Sequence, residues 1–270
     1  MYLALRGLIS ALVRWNGWLL NGGIRVPSIQ YTFRRYEKKY LLTPDQYRDM
    51  QKALSQYVEP DEYGLHTINN IYFDTPDFLM TRNSLSRPKY KEKFRLRSYG
   101  ITGQDSPVYA EIKKKYKHIV YKRRICVPHR DLYRFFGGEM LQNADMQTQL
   151  EIQWLLYHWQ PFPQVYIGYD RIAYLGREDE NLRITFDQNL RWRTHDLYLC
   201  GGDAGEPVWD ENKIIMEIKF PQSSPLWLAS MLSEHGIFPV SCSKIGNCYT
   251  RHLARIPLYL PDDERMELSC

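Results

Sequence analysis

Charged and apolar side chains alternate along several segments of this chain, and a period of two residues is typical of β-strands. The clearest case is the segment 90–99, which reads YKEKFRLRSY. In an extended strand this segment places four cations on one face, namely Lys91, Lys93, Arg95 and Arg97. The other face is largely apolar, so a strand of this kind buries one face and presents a row of cations on the other.

The same pattern recurs in at least six predicted strands. The residues that share a face with cations are Arg35, Glu37 and Lys39; Tyr109, Glu111, Lys113 and Lys115; Lys122 and Arg124; Tyr169 and Arg171; Arg183, Thr185 and Asp187; and Lys213, Ile215, Glu217 and Lys219. For any single strand, a solvated charged face explains the pattern. Like charges opposite each other across strands are destabilising, however. A cluster of so many cations therefore predicts an anionic ligand. Arg and Lys are well suited to bind an anion with several oxygens.

The alternation predicts eight strands, which cover residues 31–41, 67–73, 90–99, 108–116, 119–127, 164–175, 182–193 and 213–220. No regular exchange of strand and helix runs along the chain, which argues against parallel α/β folds. The prediction is an α+β fold: an antiparallel barrel or sandwich with helices packed outside.

Four helices are predicted between and after the strands. Thr43 is placed as the N-cap of the first helix, with Pro44 at the first helical position. The others cover residues 145–159, 225–235 and 243–255. In the helix 145–159, the spacing places Leu150, Trp154 and Leu155 near one face, which is expected to be buried.

Composition limits the class of protein only broadly. The net charge of +5 favours an anionic partner but is too small to indicate nucleic acid by itself. The five cysteines form no CxxC pair and no zinc-like cluster, so reduced thiols and a cytoplasmic location are expected.

Residues 1–20 are apolar but are interrupted by Arg6 and Arg14, so they lack the length of a spanning helix. An amphipathic helix packed on the domain is expected over residues 1–28, and contact with a membrane surface is the alternative.

The carboxylates among the cations have two interpretations. Glu37 and Glu217 are either partners in ion pairs or oxygen ligands for Mg²⁺ or Mn²⁺. A metal bridging carboxylate and phosphate would assist phosphoryl transfer. The sequence has no P-loop, no kinase motifs and no GxSxG elbow, so such chemistry would depend on positioning and electrostatics.

Several motifs in order along the chain resemble the VTC-type polyphosphate polymerase domain of the triphosphate tunnel metalloenzymes, a CYTH-like superfamily. They are RYEKKYLL, IYFDTPD, KEKFRLRSYG, YAEIKKKY with VYKRRI, IGYDRIAY, LRITFDQNLRWR, MEIKF and SKIGNCY. The resemblance implies an eight-stranded tunnel over residues 29–257, with a C-terminal tail at 258–270. It also implies transfer of the ATP γ-phosphate onto inorganic polyphosphate, with Mn²⁺ or Mg²⁺ as cofactor.

The resemblance also implies roles for individual residues. Those that would line the phosphate path as catalytic residues are Lys39, Arg95, Arg97, Lys113, Arg171 and Lys219. Further contacts with substrate are expected from Lys93, Lys122, Arg124, Tyr169, Arg183, Ser243 and Lys244. Glu217, together with Glu37, would hold the metal.

One departure from the superfamily bears on the reaction. The tunnel phosphatases of the CYTH type usually begin with ExExK, whereas this chain has Arg35 in place of the first Glu. That change favours the polymerase. The alternatives are a tunnel triphosphatase that uses water as acceptor, and a non-catalytic polyphosphate-binding module. Nucleic acid is not an expected partner, because it would need an exposed basic patch interleaved with stacking aromatics, whereas the cations here are expected on strips that face into the barrel.

Overall fold

The computed structural model describes residues 36–255, except residues 118 and 143. The described part contains ten strands in one antiparallel sheet: β1 (Tyr36–Leu42), β2 (Val58–Pro60), β3 (His66–Asp74), β4 (Tyr90–Tyr99), β5 (Pro107–Tyr116), β6 (Ile119–Pro128), β7 (Phe162–Gly176), β8 (Arg183–Arg193), β9 (Glu206–Pro207) and β10 (Ile214–Phe220). Eight of them lie in the order β1-β10-β8-β7-β3-β4-β5-β6.

These eight strands are the eight that the alternation predicts, and the predicted α+β class with an antiparallel sheet is confirmed. The predicted portion 31–35 of the first strand lies outside the described residues. The short strands β2 and β9 were not predicted. They extend the edges of β7 and β8, respectively, and are too short to show a period of two.

The sheet is curled, so that strands far apart in the hydrogen-bonding order face each other. The carboxylate of Glu37 on β1 acts electrostatically on Lys113 of β5. Lys219 of β10 acts in the same way on Lys122 of β6. Register shifts in β3 at Tyr72 and in β7 near Gly168 mark irregularities of the kind that increase strand twist and bending. The curled sheet therefore collects the predicted cations on its inner face, which we call the charged face.

Apart from the last helix, the helices of the described part pack on the side of the sheet opposite the charged face. The helices are α1 (Pro44–Leu54), α2 (Leu79–Leu85), α3 (Leu132–Phe136), α4 (Met146–Trp159), α5 (Leu226–Glu234) and α6 (Lys244–Arg251). Short 3₁₀ segments cover His129–Asp131 and Leu253–Arg255. In β1, Tyr40 and Leu42 alternate with Lys39 and pack against Met50 of α1 and Leu228 of α5. The side chains of α3 and α4 pack in a second cluster with β3 to β6.

A third cluster lies within the curled sheet and includes α6. Ile245 and Cys248 of α6 pack with Ile68 of β3 and Ile215 of β10. The apolar face of this helix fixes its first turn beside the cations, which matters for the site below.

The helix starts confirm the capping predictions. Thr43 caps α1 through a capping box with Gln46, and its Oγ1 accepts from the Gln46 N–H at 3.2 Å. The predicted buried face of α4 is partly wrong: Leu150 and Trp154 are 44% and 51% exposed, whereas Ile152 and Leu155 are fully buried. The reason is that the helix packs by its Ile152–Leu155 side, and the larger aromatic residue faces solvent.

Three described cysteines, Cys126, Cys242 and Cys248, are free thiols, whereas Cys200 is disulfide-bonded. The expectation of reduced cysteines is therefore wrong at Cys200. Among residues 36–255, apart from 118 and 143, no helix is long and apolar enough to cross a membrane. The predicted helix over residues 1–28 lies outside the described residues.

Candidate functional site

Glu217 lies at the centre of one group of charges on the charged face. It pairs in register with Lys39 of β1, and its Oε2 lies 3.2 Å from Lys39 Nζ. Its Oε1 lies 2.7 Å from Lys219 Nζ, two residues along the same strand. Glu37 also contacts Lys39, with 3.4 Å between Oε1 and Nζ. Two carboxylates and two ammonium groups thus share one small area.

The electrostatics keep this group ionised. Burial would raise the pKa of Glu217, but the charges of nearby lysines hold that pKa well below its usual range. These lysines are Lys39, Lys219 and Lys244. Burial would lower the pKa of Lys39, but Glu217 and Glu37 raise it above its ordinary value. At neutral pH the carboxylate is therefore an anion held between cations.

Asp187 organises a second group. Its side chain is fully buried and accepts two hydrogen bonds from Arg171, at 2.6 and 2.8 Å. Lys244 Nζ lies 2.5 Å from Asp187 Oδ2 and 4.4 Å from the ring centre of Tyr169. Burial would raise the pKa of the Tyr169 phenol, but three neighbouring cations lower it to about 8. These cations are Arg97, Arg171 and Lys244. The group carries more positive than negative charge.

Glu111 organises a third group. Its Oε2 accepts from the Nε and Nη2 of Arg95, at 2.8 and 2.6 Å. Its Oε1 makes no hydrogen bond but lies 3.5 Å from Lys122 and 3.8 Å from Arg97. Burial would raise the pKa of Glu111, but these cations lower it to about 2. Arg97 is held further by Asn70 Oδ1 at 3.0 Å and by Tyr169 Oη at 3.3 Å.

Lys93 and Lys113 are cations of the charged face that make no ion pair with a described carboxylate. They are directly opposite each other on β4 and β5. No carboxylate among the described residues lies within 4.0 Å of either ammonium group. Lys93 Nζ donates to Ser243 Oγ at 2.9 Å. Burial lowers the pKa of Lys93, and neighbouring cations lower it further, to about 7.

Ser243 connects this pair to α6. It is the N-cap of the helix, and its Oγ accepts from the Gly246 N–H at 3.3 Å. The first turn of α6 therefore places the Ser243 hydroxyl near Lys93 and the Lys244 ammonium near Asp187. Free N–H groups at a helix start favour anions, so this turn suits a phosphate next to Lys93.

Two predicted residues lie at the edge of the site. Arg124 is exposed and lies over the Tyr109 ring at 4.9 Å. Arg183 is half-exposed and pairs with Asp61 at 3.2 Å, outside the three groups. The structure thus brings the other predicted residues together on one face and leaves these two at its margin.

The charged face suits a polyanion. Its cations include Lys39, Lys91, Lys93, Arg95, Arg97, Lys113, Lys115, Lys122, Arg124, Arg171, Arg183, Lys219 and Lys244, whereas its carboxylates include Glu37, Glu111, Asp187 and Glu217. Ammonium and guanidinium groups held without enough counter-charge are stabilised by an anion with many oxygens. The geometry therefore supports binding of several linked phosphates.

A divalent metal fits this site only if phosphate oxygens of the bound substrate complete its coordination. The described part of the chain contains no group of three or more His, Cys, Asp or Glu that could hold a metal. Mg²⁺, however, is commonly held by one or two carboxylates together with substrate phosphates. Glu217 and Glu37 are both within reach of Lys39 Nζ and supply such a pair. The donor set thus fits a hard cation that also binds phosphate oxygens.

Sequence reasoning did not assign five residues that shape the site. They are Asn70, Tyr72, Glu111, Thr185 and Asp187. The period of two already placed Glu111 and Asp187 on the charged face, so their signal was present. Tyr72, whose hydroxyl accepts from Arg95 at 2.8 Å, lies in a strand buried on both faces, which shows no alternation. Thr185 is opposite Glu217, and its buried Oγ1 has no partner.

One known protein family matches most of this chain. The model of the VTC domain matches residues 34–252, which is well over half of the chain. No curated protein matches the chain.

Similar solved structures have low identity. A putative adenylyl cyclase from Hippeastrum, described as having a dominant triphosphatase activity, is 16% identical with a TM-score of 0.45, and the match covers 79% of this chain and 94% of that one. A putative adenylate cyclase from Vibrio parahaemolyticus is 11% identical with a TM-score of 0.42, covering 79% and 96%. The Mimivirus capping enzyme triphosphatase is 8% identical with a TM-score of 0.32, covering 74% and 88%.

Proposed function

The chain belongs to the VTC domain family, and from this premise we propose that it is a polyphosphate polymerase. It transfers the γ-phosphate of ATP onto a growing chain of inorganic polyphosphate. The observation that carries this proposal is the excess of fixed cations over carboxylates along the whole charged face. A row of this length suits a chain of phosphates better than one short anion.

The cations that would bind phosphate are held in place by carboxylates of the charged face. Lys39 and Lys219 are fixed by Glu217, so they are positioned for phosphate oxygens before a ligand arrives. Arg95 is held by Glu111, and Arg171 is held by Asp187. Fixed donors of this kind stabilise charge that develops on transferring phosphate without having to reorganise.

We assign the metal to Glu217 with Glu37, and Mn²⁺ or Mg²⁺ is the expected ion. When bound, the ion neutralises charge on phosphate oxygens and assists departure of the leaving group. The position of Glu217 between Lys39 and Lys219 keeps the pKa of its carboxyl low, so the group stays in the ionised form that a metal ion would need.

The acceptor needs no general base from the protein. The terminal phosphate of a polyphosphate chain is already an anion, and one of its oxygens can attack the γ-phosphorus directly. The bond between the γ-phosphorus and the bridging oxygen then breaks, and ADP leaves. Glu111 and Asp187 are each held by at least two cations and are poorly placed to activate water.

The second candidate is a tunnel triphosphatase, which would use water as the acceptor. Glu37 and Glu217 would also serve that reaction. Arg35 stands where the tunnel phosphatases have the first Glu of ExExK, and this favours the polymerase. The third candidate, a non-catalytic polyphosphate-binding module, would not need the pair of carboxylates at Lys39.

The test incubates the purified chain with ATP and Mn²⁺ and separates ADP, free phosphate and polyphosphate on a gel. Glu217→Gln serves as the inactive control for contaminating enzymes. Polyphosphate formed together with ADP supports the polymerase. ADP with only free phosphate supports the triphosphatase. Tight binding of added polyphosphate without any turnover supports the binding module.

A further inference from the structure

Two pairs of lysines face each other on β4 and β5. Lys93 is opposite Lys113, and Lys91 is opposite Lys115. We call the first the inner lysine pair and the second the outer lysine pair. Both lie on the charged face, and the outer pair is at the end of the sheet where β4 begins and β5 ends.

Neither pair has a counter-charge in the described part of the chain. No carboxylate lies within 4.0 Å of any of the four ammonium groups. Lys91 donates to a neutral acceptor, the Ser84 carbonyl oxygen, at 2.9 Å. Lys114, which lies between Lys113 and Lys115 but faces the other way, is paired with Glu151 at 3.0 Å. At this end of β5, the carboxylate partner therefore lies on the opposite face and not beside the two lysine pairs.

This arrangement has an energetic cost without a ligand. Like charges directly opposite each other in a sheet repel. Burial lowers the pKa of Lys91, and the charges of Lys115 and Arg87 lower it further. An anion that binds between the two lysines would remove the repulsion.

The position of the outer pair indicates the length of the anion that would bind there. Lys39 and Glu217 lie close to the inner pair, since their charges act on Lys113. The outer pair is one strand repeat farther along, about 6.6 Å from the inner pair. A triphosphate seated at Glu217 fills the inner region first, whereas a longer chain continues past the inner pair.

We propose that Lys91 and Lys115 bind the polyphosphate chain beyond the transfer centre, and that they select a long chain over a triphosphate. The proposal rests on the proposed function for its ligand class, but it concerns a separate part of the charged face. The outer pair would bind the part of the polyphosphate product that extends beyond the three groups around Glu217, Asp187 and Glu111.

The test measures binding without nucleotide, using the full chain. Affinities for long-chain polyphosphate and for tripolyphosphate are measured by calorimetry for the wild type and for Lys91→Gln/Lys115→Gln. The matched control is Lys38→Gln/Lys114→Gln, which removes the same charge from the opposite face of β1 and β5. We expect the Lys91/Lys115 variant to lose about tenfold in affinity for the long chain, the order expected for two partly exposed ionic contacts. Its affinity for tripolyphosphate should change less than about twofold.

Three results would overturn the proposal. Equal losses for both ligands would place the outer pair within the transfer centre. An unchanged affinity for the long chain, in a variant with an unchanged thermal midpoint, would mean that the pair does not contact the ligand. A single-stranded oligonucleotide of matched charge that binds as tightly as polyphosphate, and loses as much affinity in the variant, would indicate a general polyanion surface.

The binding test and the gel test for polymerase activity can give independent results, so each hypothesis can be wrong without the other. If ATP yields only free phosphate while the long chain still depends on Lys91 and Lys115, the polymerase is wrong and the outer pair stands. If polyphosphate forms while the variant binds it like the wild type, the outer pair is wrong and the polymerase stands.

Discussion

Lys39 and Glu217 are directly opposite each other on β1 and β10, with 3.2 Å between Nζ and Oε2. The other oxygen of Glu217 holds Lys219 at 2.7 Å. One buried carboxylate thus fixes two ammonium groups, and its own charge depends on them. A variant that lacks the charge of Glu217 can therefore distinguish the binding of phosphate from the proposed role of Glu217 in holding a metal.

Glu217→Gln is expected to lower the rate of ADP release from ATP by about 100-fold or more, as when a preorganised electrostatic group is removed. Its affinity for tripolyphosphate should stay the same or rise, because Lys39 and Lys219 lose a competing anion. Rates with Mn²⁺ and calorimetry without metal check the two parts. Glu59→Gln, an exposed strand carboxylate paired with Arg177, is the control. If turnover and metal-free affinity fall together, a metal role for Glu217 is wrong.

Lys219→Ala is expected to weaken tripolyphosphate binding by about fivefold to tenfold, which lies within the net contribution of a typical hydrogen bond. The loss should be larger at low salt, because Lys219 is partly exposed and salt screens such contacts. Calorimetry at two ionic strengths measures both effects. Lys213→Ala is the control, since Lys213 precedes the same strand but pairs with Glu211 outside the site. A loss that is the same for both variants would indicate a general effect of net charge.

The strands and the charged face could be predicted because the physical signal is local. A strand that buries one face alternates apolar and charged residues. The alternation of Lys39 with Tyr40, and of Glu217 with Met216, can therefore be recognised from neighbouring residues in the sequence. The same rule placed Glu111 and Asp187 on the correct face. It did not show that they fix Arg95 and Arg171, because partners on different strands are set by the register of the sheet.

Other features depend on tertiary packing and have no local signal. β3 is buried on both faces, so nothing in its sequence separates Asn70 and Tyr72, which hold arginines, from its core residues. In α4, the predicted buried face is only partly right, because Leu155 is buried but Leu150 and Trp154 are exposed. The choice between two apolar faces was made by the contacts of Ile152 and Leu155 with the sheet.

Lys93 is expected to make both stability and binding depend on pH. Its folded pKa of about 7 lies below the unfolded value of 10.5, so unfolding takes up a proton between these values. The unliganded protein should therefore gain stability from this group as pH rises from about 7 towards 10.5. Phosphate binding needs the charged form, so binding near pH 8 should be coupled to proton uptake. The lysines and arginine that face Lys93 are Lys91, Lys113, Lys39 and Arg95.

Calorimetry with tripolyphosphate in two buffers of different ionisation enthalpy measures this uptake. Lys93→Met should take up fewer protons on binding and should be more stable than the wild type near neutral pH, because a half-buried charge without a carboxylate partner is removed. Lys38→Met, on the opposite face of β1, should match the wild type. An identical proton uptake in Lys93→Met would show that another group titrates.

Ser243→Ala is expected to affect stability and binding together. Ser243 caps α6 and accepts a hydrogen bond from Lys93. Losing the cap should lower the free energy of unfolding by about 1 kcal/mol. Losing the hydroxyl should also weaken tripolyphosphate binding severalfold, because Lys93 is no longer held and the first turn of α6 is less well ordered. Thermal unfolding and calorimetry at one pH measure the two effects.

Thr43→Ala is the matched control for this last variant. Thr43 caps α1 through the same kind of side-chain contact, and α1 packs on the side of the sheet opposite the charged face. The two caps should therefore lower stability by similar amounts, whereas only Ser243→Ala should lose affinity for tripolyphosphate. A matching loss of affinity in Thr43→Ala would attribute the effect to general destabilisation. Full affinity in Ser243→Ala would mean that Lys93 is positioned by its strand alone and that the start of α6 does not take part in binding.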